Sequence, residues 1–180
     1  MSSQQVPQWH SFVVVALRTG LRVGELLALR WRKDIDLERK RLRVQQAYTR
    51  EGGFDTPKTE CSLRELPLTW DAVKALEAQR RAVRGKLVFP DVEEQGEVGS
   101  LRSAGWFVGK VARLAQLRHV HPHVLRHTFA SHAVMRGVPL RVVKDWMGHA
   151  TIDMTMRYAH LAEGVADNMI GRLAPPEPEA

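Results

Sequence analysis

Between His119 and His160 the chain reads HVHPHVLRHTFASHAVMRGVPLRVVKDWMGHATIDMTMRYAH. His123 and Arg126 are three residues apart, which puts them on one face of a helix. Gly148-His149 and Arg157-Tyr158 follow. An imidazole, a guanidinium, a second imidazole and a phenol suit metal-free attack on a phosphodiester by a tyrosine. Such a reaction puts extra negative charge on the nonbridging oxygens, and fixed cations must stabilise it. Arginine does so with a permanently charged, two-pronged donor. Arg22, beside Glu25 at a spacing of three, is the second candidate for a phosphate clamp. A phenol with an ordinary pKa near 10 needs a proton acceptor or strong local positive charge. The leaving sugar oxygen needs a proton donor. Lys58, His123 and His149 can fill those roles chemically. Of the two tyrosines, Tyr48 has no His or Arg motif around it, whereas Tyr158 follows Arg157 and Gly148-His149.

Other chemistries lack their residues. Eight histidines invite zinc, and His119, His121 and His123 alternate, but HExxH and any cysteine pair are missing. Glu25, Asp145 and Asp153 are scattered, not clustered as a two-metal nuclease needs. Neither GxSxG nor a Walker-type phosphate loop occurs. The reading therefore includes no cofactor and no metal.

The elements that must position these groups are short. Trp9 to Thr19 has helical apolar content and stops at Gly20; LRVGELLALRW from Leu21 continues as a second helix. Asp34 to Leu37 opens a strand region, Arg41 to Tyr48 reads as a half-exposed strand, and Ser62 to Leu66 as another. Lys58 sits on the loop between them, after a turn at Glu51-Gly52-Gly53. Trp70 to Arg84 is an amphipathic helix, Leu87 to Pro90 a short buried segment, and Asp91 to Ser100 an exposed acidic loop. Ser100 caps a helix to about Leu117, with Trp106, Phe107, Val111 and Leu114 expected inward. Gly137 and Pro139 end one helix and start the next, and Gly148 ends that one. Thr151 is expected to cap a third, carrying Tyr158. Leu161 to Leu173 can form a last helix before a tail with three prolines.

The 180 residues suit one domain with a sizeable core, 44% of them hydrophobic. The formal charge of +7 and a pI near 10.1 favour a polyanionic partner such as nucleic acid. The single cysteine, Cys61, excludes an intramolecular disulfide and is compatible with a reducing cytosol. No apolar run is long enough to span a membrane.

Four stretches resemble the tyrosine recombinase, or phage integrase, family. TGLRVGELLALRWRKDID is similar to its first-arginine motif, and TPKTECSLRELPL to its lysine hairpin. HVLRHTFASHAVMRG resembles its histidine–x–x–arginine motif, and VVKDWMGHATIDMTMRYAH its second-histidine and tyrosine motifs. The resemblance implies a mainly α fold with a small antiparallel β-sheet (α+β). It implies a catalytic domain over residues 1–173, a Pro-rich tail over 174–180, and a family core-binding domain outside this chain. Arg22 and Arg126 would hold the scissile phosphate, Lys58 would be general acid, and His123 would assist proton transfer with the tyrosine. His149 would be a second hydrogen-bond donor, Tyr158 the nucleophile forming a 3′-phosphotyrosine, and Glu25 a support for the first arginine. Implied partners are double-stranded DNA, a homotetramer on paired sites and accessory proteins, in the cytoplasm with the nucleoid. Rival readings are a type IB topoisomerase-like nicking and rejoining enzyme and an inactive DNA-binding module. Trp146 and Met147 depart from the small aliphatic residues common before the Gly-His.

Overall fold

Helix α1 (Val6–Thr19) buries Phe12, Val15 and Ala16 along one stripe, and the Thr19 hydroxyl donates to the Val15 carbonyl at its last turn. Gly20 ends it in the left-handed region, with φ of 65° and its N–H on the Ala16 carbonyl. A Cβ there would also strike the Phe129 ring, so glycine is required twice over. The computed structural model describes residues 6–49, 53–55, 63–90 and 100–162.

The continuous second helix expected from Leu21 is instead broken. It forms α2 (Val23–Leu27) and α3 (Trp31–Asp34), with extended backbone at Arg30 between them. The backbone there has better partners across the fold. Val88 donates to the Leu29 carbonyl, and Trp31 to the Lys86 carbonyl. Asp34 takes the Arg30 N–H at 2.8 Å and its guanidinium at 2.8 and 3.0 Å. This pairing also buries the segment Leu87–Pro90, as its apolar content predicts.

Strands β1 (Ile35–Asp36), β2 (Arg41–Val44) and β5 (Arg64–Pro67) form an antiparallel sheet in the order β1-β2-β5, with Leu42 opposite Leu66. The expected strand from Arg41 to Tyr48 is interrupted at Gln45-Gln46, where the Gln46 amide turns to the Ala28 carbonyl. Its remainder, β3 (Ala47–Tyr48), pairs with β4 (Phe54–Asp55) in a separate ribbon. Helix α4 (Trp70–Ala82) packs on α1 and buries Leu76, with Val73 and Val83 partly buried. The core of α1, α2, the larger sheet and α4 gathers around Phe12, Leu26, Leu42, Leu66, Leu76 and Val88.

Helix α5 (Leu101–Leu114) is capped by the Ser100 hydroxyl on the Ser103 N–H, as expected. Its inward face is a correction. Ala104, Val108 and Ala112 are buried, while Trp106 and Leu114 are 60% and 77% exposed. The small residues let α5 approach closely, and Phe107 lies flat on Trp9 with ring centroids 3.8 Å apart. Helices α6 (Pro122–Met135) and α7 (Leu140–Met147) enclose a second, smaller cluster of Ala130, Val134, Val143, Met147 and Tyr158. Gly137 and Pro139 separate them and left-handed Gly148 ends α7, as the sequence indicates. Helix α8 (Asp153–Met156) corrects the expected third helix. Ile152, not Thr151, is its N-cap, and Tyr158 lies just beyond it, before a 3-10 turn at Ala159–Ala162. The fold is thus mainly α with a small antiparallel sheet. The turn at 51–52, Lys58, the acidic loop 91–99 and the final helix beyond 162 lie outside the described residues.

Candidate active site

The site is organised by the C-terminal end of α7. A helix end leaves carbonyls without intrahelical partners and carries partial negative charge, so it attracts cations. Here three consecutive carbonyls each accept from a different arginine. Arg64 Nε donates to Trp146 O at 2.7 Å, Arg126 Nη2 to Met147 O at 2.7 Å, and Arg22 Nη2 to Gly148 O at 3.2 Å. These arginines come from β5, α6 and the start of α2, so one helix end ties together segments far apart in sequence. The left-handed turn at Gly148 then directs His149 into the same place, where it is buried.

Arg22 is the N-cap of α2, and it donates twice to Glu25 in the first turn. Glu25 Oε2 accepts the Arg22 N–H at 2.7 Å, and Oε1 accepts Arg22 Nη1 at 3.0 Å. Arg64 grips the same carboxylate from the other side with both terminal nitrogens, at 3.0 and 2.9 Å. Burial pushes the Glu25 carboxyl up, but Arg64 and Arg22 outweigh it and hold it below the usual carboxylate range. Glu25 is therefore shared between two arginines, Arg22 and Arg64.

Arg126 is buried and donates to two carbonyls, Met147 O and, at 2.5 Å, Gly20 O. Desolvation and the neighbouring Arg22 lower its pKa to about 10, which leaves it cationic at neutral pH. Three guanidinium groups and one carboxylate meet here among the described residues, so the site keeps surplus positive charge. An anion would relieve it.

His149 Nδ1 lies 2.8 Å from the Thr155 hydroxyl. Burial, then Arg126 and Arg22, lower its pKa to about 4. The imidazole is thus neutral at pH 7. When Nδ1 accepts from Thr155, Nε2 carries the proton and can donate. Tyr158 is buried in the α6–α7 cluster, and its hydroxyl lies 2.5 Å from His127 Nδ1. Burial pushes the Tyr158 hydroxyl above its usual range, against the pull of Arg157 and Arg126.

Arg22, Arg126, His149 and Tyr158 are thus brought to one region, with Glu25 beneath. His123 is exposed in the first turn of α6, its ring 6.1 Å from that of His121, and His127, one turn on, takes the contact with the tyrosine. Two site residues escape a reading of the sequence alone, Arg64 and His127. Arg64 left one signal. It shares a strand face with buried Leu66, an odd phase for a charge. The signal for His127 is its spacing of four from His123, which also suits a metal pair.

The phage integrase family model matches residues 4–164. The chain belongs to this family of tyrosine recombinases. It is 31% identical to a XerC-like tyrosine recombinase of Caldanaerobacter subterraneus subsp. tengcongensis, over 89% of this chain and 47% of that protein. With tyrosine recombinase XerC of Xanthomonas campestris pv. campestris the identity is 37%, over 79% of this chain and 41% of the relative. The chain thus spans about half the length of the curated relatives it matches. Among solved structures, the Tn1549 transposon integrase in complex with circular intermediate DNA is 26% identical with a TM-score of 0.77, covering 92% of this chain and 59% of that one. XerA recombinase shares the fold at a TM-score of 0.71 and 24% identity, over 94% and 57%. Among the described residues, no helix is long and apolar enough to cross a membrane.

Proposed function

We propose that this chain is the catalytic domain of a site-specific DNA recombinase that cleaves through Tyr158 and rejoins strands without metal or ATP. The observation that carries this reading is the arginine frame on carbonyls 146 to 148, with neutral His149 next in line and a surplus of positive charge. A phosphodiester fits that charge and donor set. Arg22 and Arg126 hold its nonbridging oxygens, and His149 donates through Nε2. The Tyr158 oxygen attacks phosphorus and displaces the 5′ oxygen, which takes a proton from Lys58. The 3′-phosphotyrosine keeps a bond of comparable energy, so the reverse attack by a 5′ hydroxyl reseals the strand. His123, exposed one turn before His127, assists proton movement at the mouth of the site. The basic chain binds double-stranded DNA and acts as a homotetramer on paired sites in the cytoplasm, at the nucleoid.

Nicked suicide duplexes from DNA flanking the gene, incubated with the protein in EDTA, test this. A denaturing gel is expected to show a covalent adduct that Tyr158→Phe and Arg126→Ala abolish. An adduct that persists in Tyr158→Phe, or forms only with added divalent metal, would contradict the mechanism.

A further inference from the structure

The nucleophile proposed above has a partner that this mechanism leaves unused. His127 lies on α6, one turn beyond His123 and next to the phosphate-holding Arg126. Its Nδ1 is the hydrogen-bond partner of the Tyr158 hydroxyl, at 2.5 Å. The two rings are tilted, with centroids 5.9 Å apart, so the contact is edge-on between heteroatoms and not a stacking contact. The remainder of His127 is open to solvent.

We propose that His127 is a catalytic residue that accepts the Tyr158 proton as the phenol attacks phosphorus, and returns it when the phosphotyrosine bond is broken. This rests on the reading of Tyr158 as nucleophile. In cleavage the Tyr158 oxygen forms its bond to phosphorus and its proton passes to His127 Nδ1. The bond from phosphorus to the 5′ oxygen breaks, and that oxygen is protonated by Lys58. Resealing runs the same transfers backwards, so no oxidant, metal or further reactant is required.

The surroundings suit a base. A phenol held above its usual pKa stays protonated and needs an acceptor at the moment of attack. Partial burial, Arg157, His123, Arg126 and His121 all press the His127 imidazole below its ordinary pKa. It is therefore neutral at pH 7 and free to accept. Those four side chains, with the Tyr158 hydroxyl, are the charged and titratable neighbours facing it from α6, the segment before α6 and the turn after α8. The exposed side of the ring lets the proton exchange with water, with His123 beside the exit.

Two measurements test the proposal. The first needs no DNA: nitrogen-15 NMR of the histidine rings in the full chain. Expected is the tautomer with Nε2 protonated and Nδ1 accepting for His127, with its Nδ1 signal shifting in Tyr158→Phe. A His127 protonated on Nδ1, donating to the phenol, would overturn the proposal. The second is single-turnover cleavage of the nicked duplexes across pH. His127→Asn keeps a polar atom near the Nδ1 position but cannot take up a proton. It is expected to slow adduct formation about 100-fold and to remove the rise in rate with pH through the imidazole titration, since general-base catalysis is worth roughly 10²–10⁴. Wild-type rate and pH profile in His127→Asn would overturn the proposal, as would a slow His127→Ala with full recovery in His127→Asn, which is positioning alone. An adduct that survives Tyr158→Phe would instead bring down the assignment of the nucleophile. If the chain cleaves no duplex tried, the tautomer decides.

Discussion

The arginine frame at the end of α7 draws on four stretches of chain, at residues 20–25, 64, 126 and 146–149, whereas the tyrosine rides on a four-residue helix and the turn behind it. In the frame nearly every donor has a fixed acceptor, and Glu25, Arg64 and Arg126 are buried almost completely. Around α8 the position is reversed. Ile152, Met154 and Met156 are exposed, and Thr155 and Tyr158 are the buried anchors. One half is set before any ligand arrives. The other is held by the Tyr158 ring in the small α6–α7 cluster and by two hydroxyl contacts, Thr155 with His149 and Tyr158 with His127. That division suits the proposed reaction, in which the frame grips the phosphate and Tyr158 supplies the attacking oxygen.

The contrast can be broken from the frame side first. Arg126→Ala removes a buried cation and strands the Gly20 and Met147 carbonyls. Adduct formation is expected to fall about 10³-fold, and stability by about 3 kcal/mol, in suicide-substrate assays and urea melts. Glu25→Gln leaves Arg64 and Arg22 without their shared counter-charge. It is expected to cost about 3–5 kcal/mol in the same melts, partly recovered by inorganic phosphate.

A pH titration sharpens the comparison. The unfolded His149 imidazole takes up its proton near pH 6.5 and the folded one only near pH 4. The unfolded chain binds the extra proton between those values. The stabilisation is therefore complete above pH 6.5 and lost as pH falls towards 4, on the order of 3 kcal/mol. His149→Asn is expected to flatten that part of the stability profile. On the tyrosine side the effects shrink. Thr155→Val, which deletes the hydroxyl facing His149, is expected to cost about 1 kcal/mol, and Met154→Ser to stay within about 0.5 kcal/mol, both by thermal melts.

Much of the frame could be read from the chain alone because its signals are local. Gly20, Pro139 and Gly148 mark the helix ends that deliver Leu21-Arg22, α7 and His149, and Arg22 with Glu25 is a contact within one turn. What stayed hidden depends on partners distant in sequence. Arg64 owes its place to Glu25, 39 residues earlier, and to Trp146, 82 residues later. The break after α2 depends on backbone groups at Lys86 and Val88, which no local propensity encodes. The inward face of α5 is not legible locally either: Trp106 and Leu114 carry more apolar surface, yet Ala104, Val108 and Ala112 are the residues buried. The contact of His127 with Tyr158 is hidden for the same reason: a motif gives spacing along a helix, while the turn after α8 sets which histidine the hydroxyl meets.

The most direct test is to locate the covalent bond itself. Protein trapped on a nicked duplex in EDTA would be digested with nuclease and trypsin and its peptides sequenced by mass spectrometry. A nucleotide is expected on Tyr158, the first residue of the tryptic peptide that follows Arg157. A nucleotide on Tyr48, on a serine or on a histidine would contradict the account, because the arginine frame would then serve a different nucleophile.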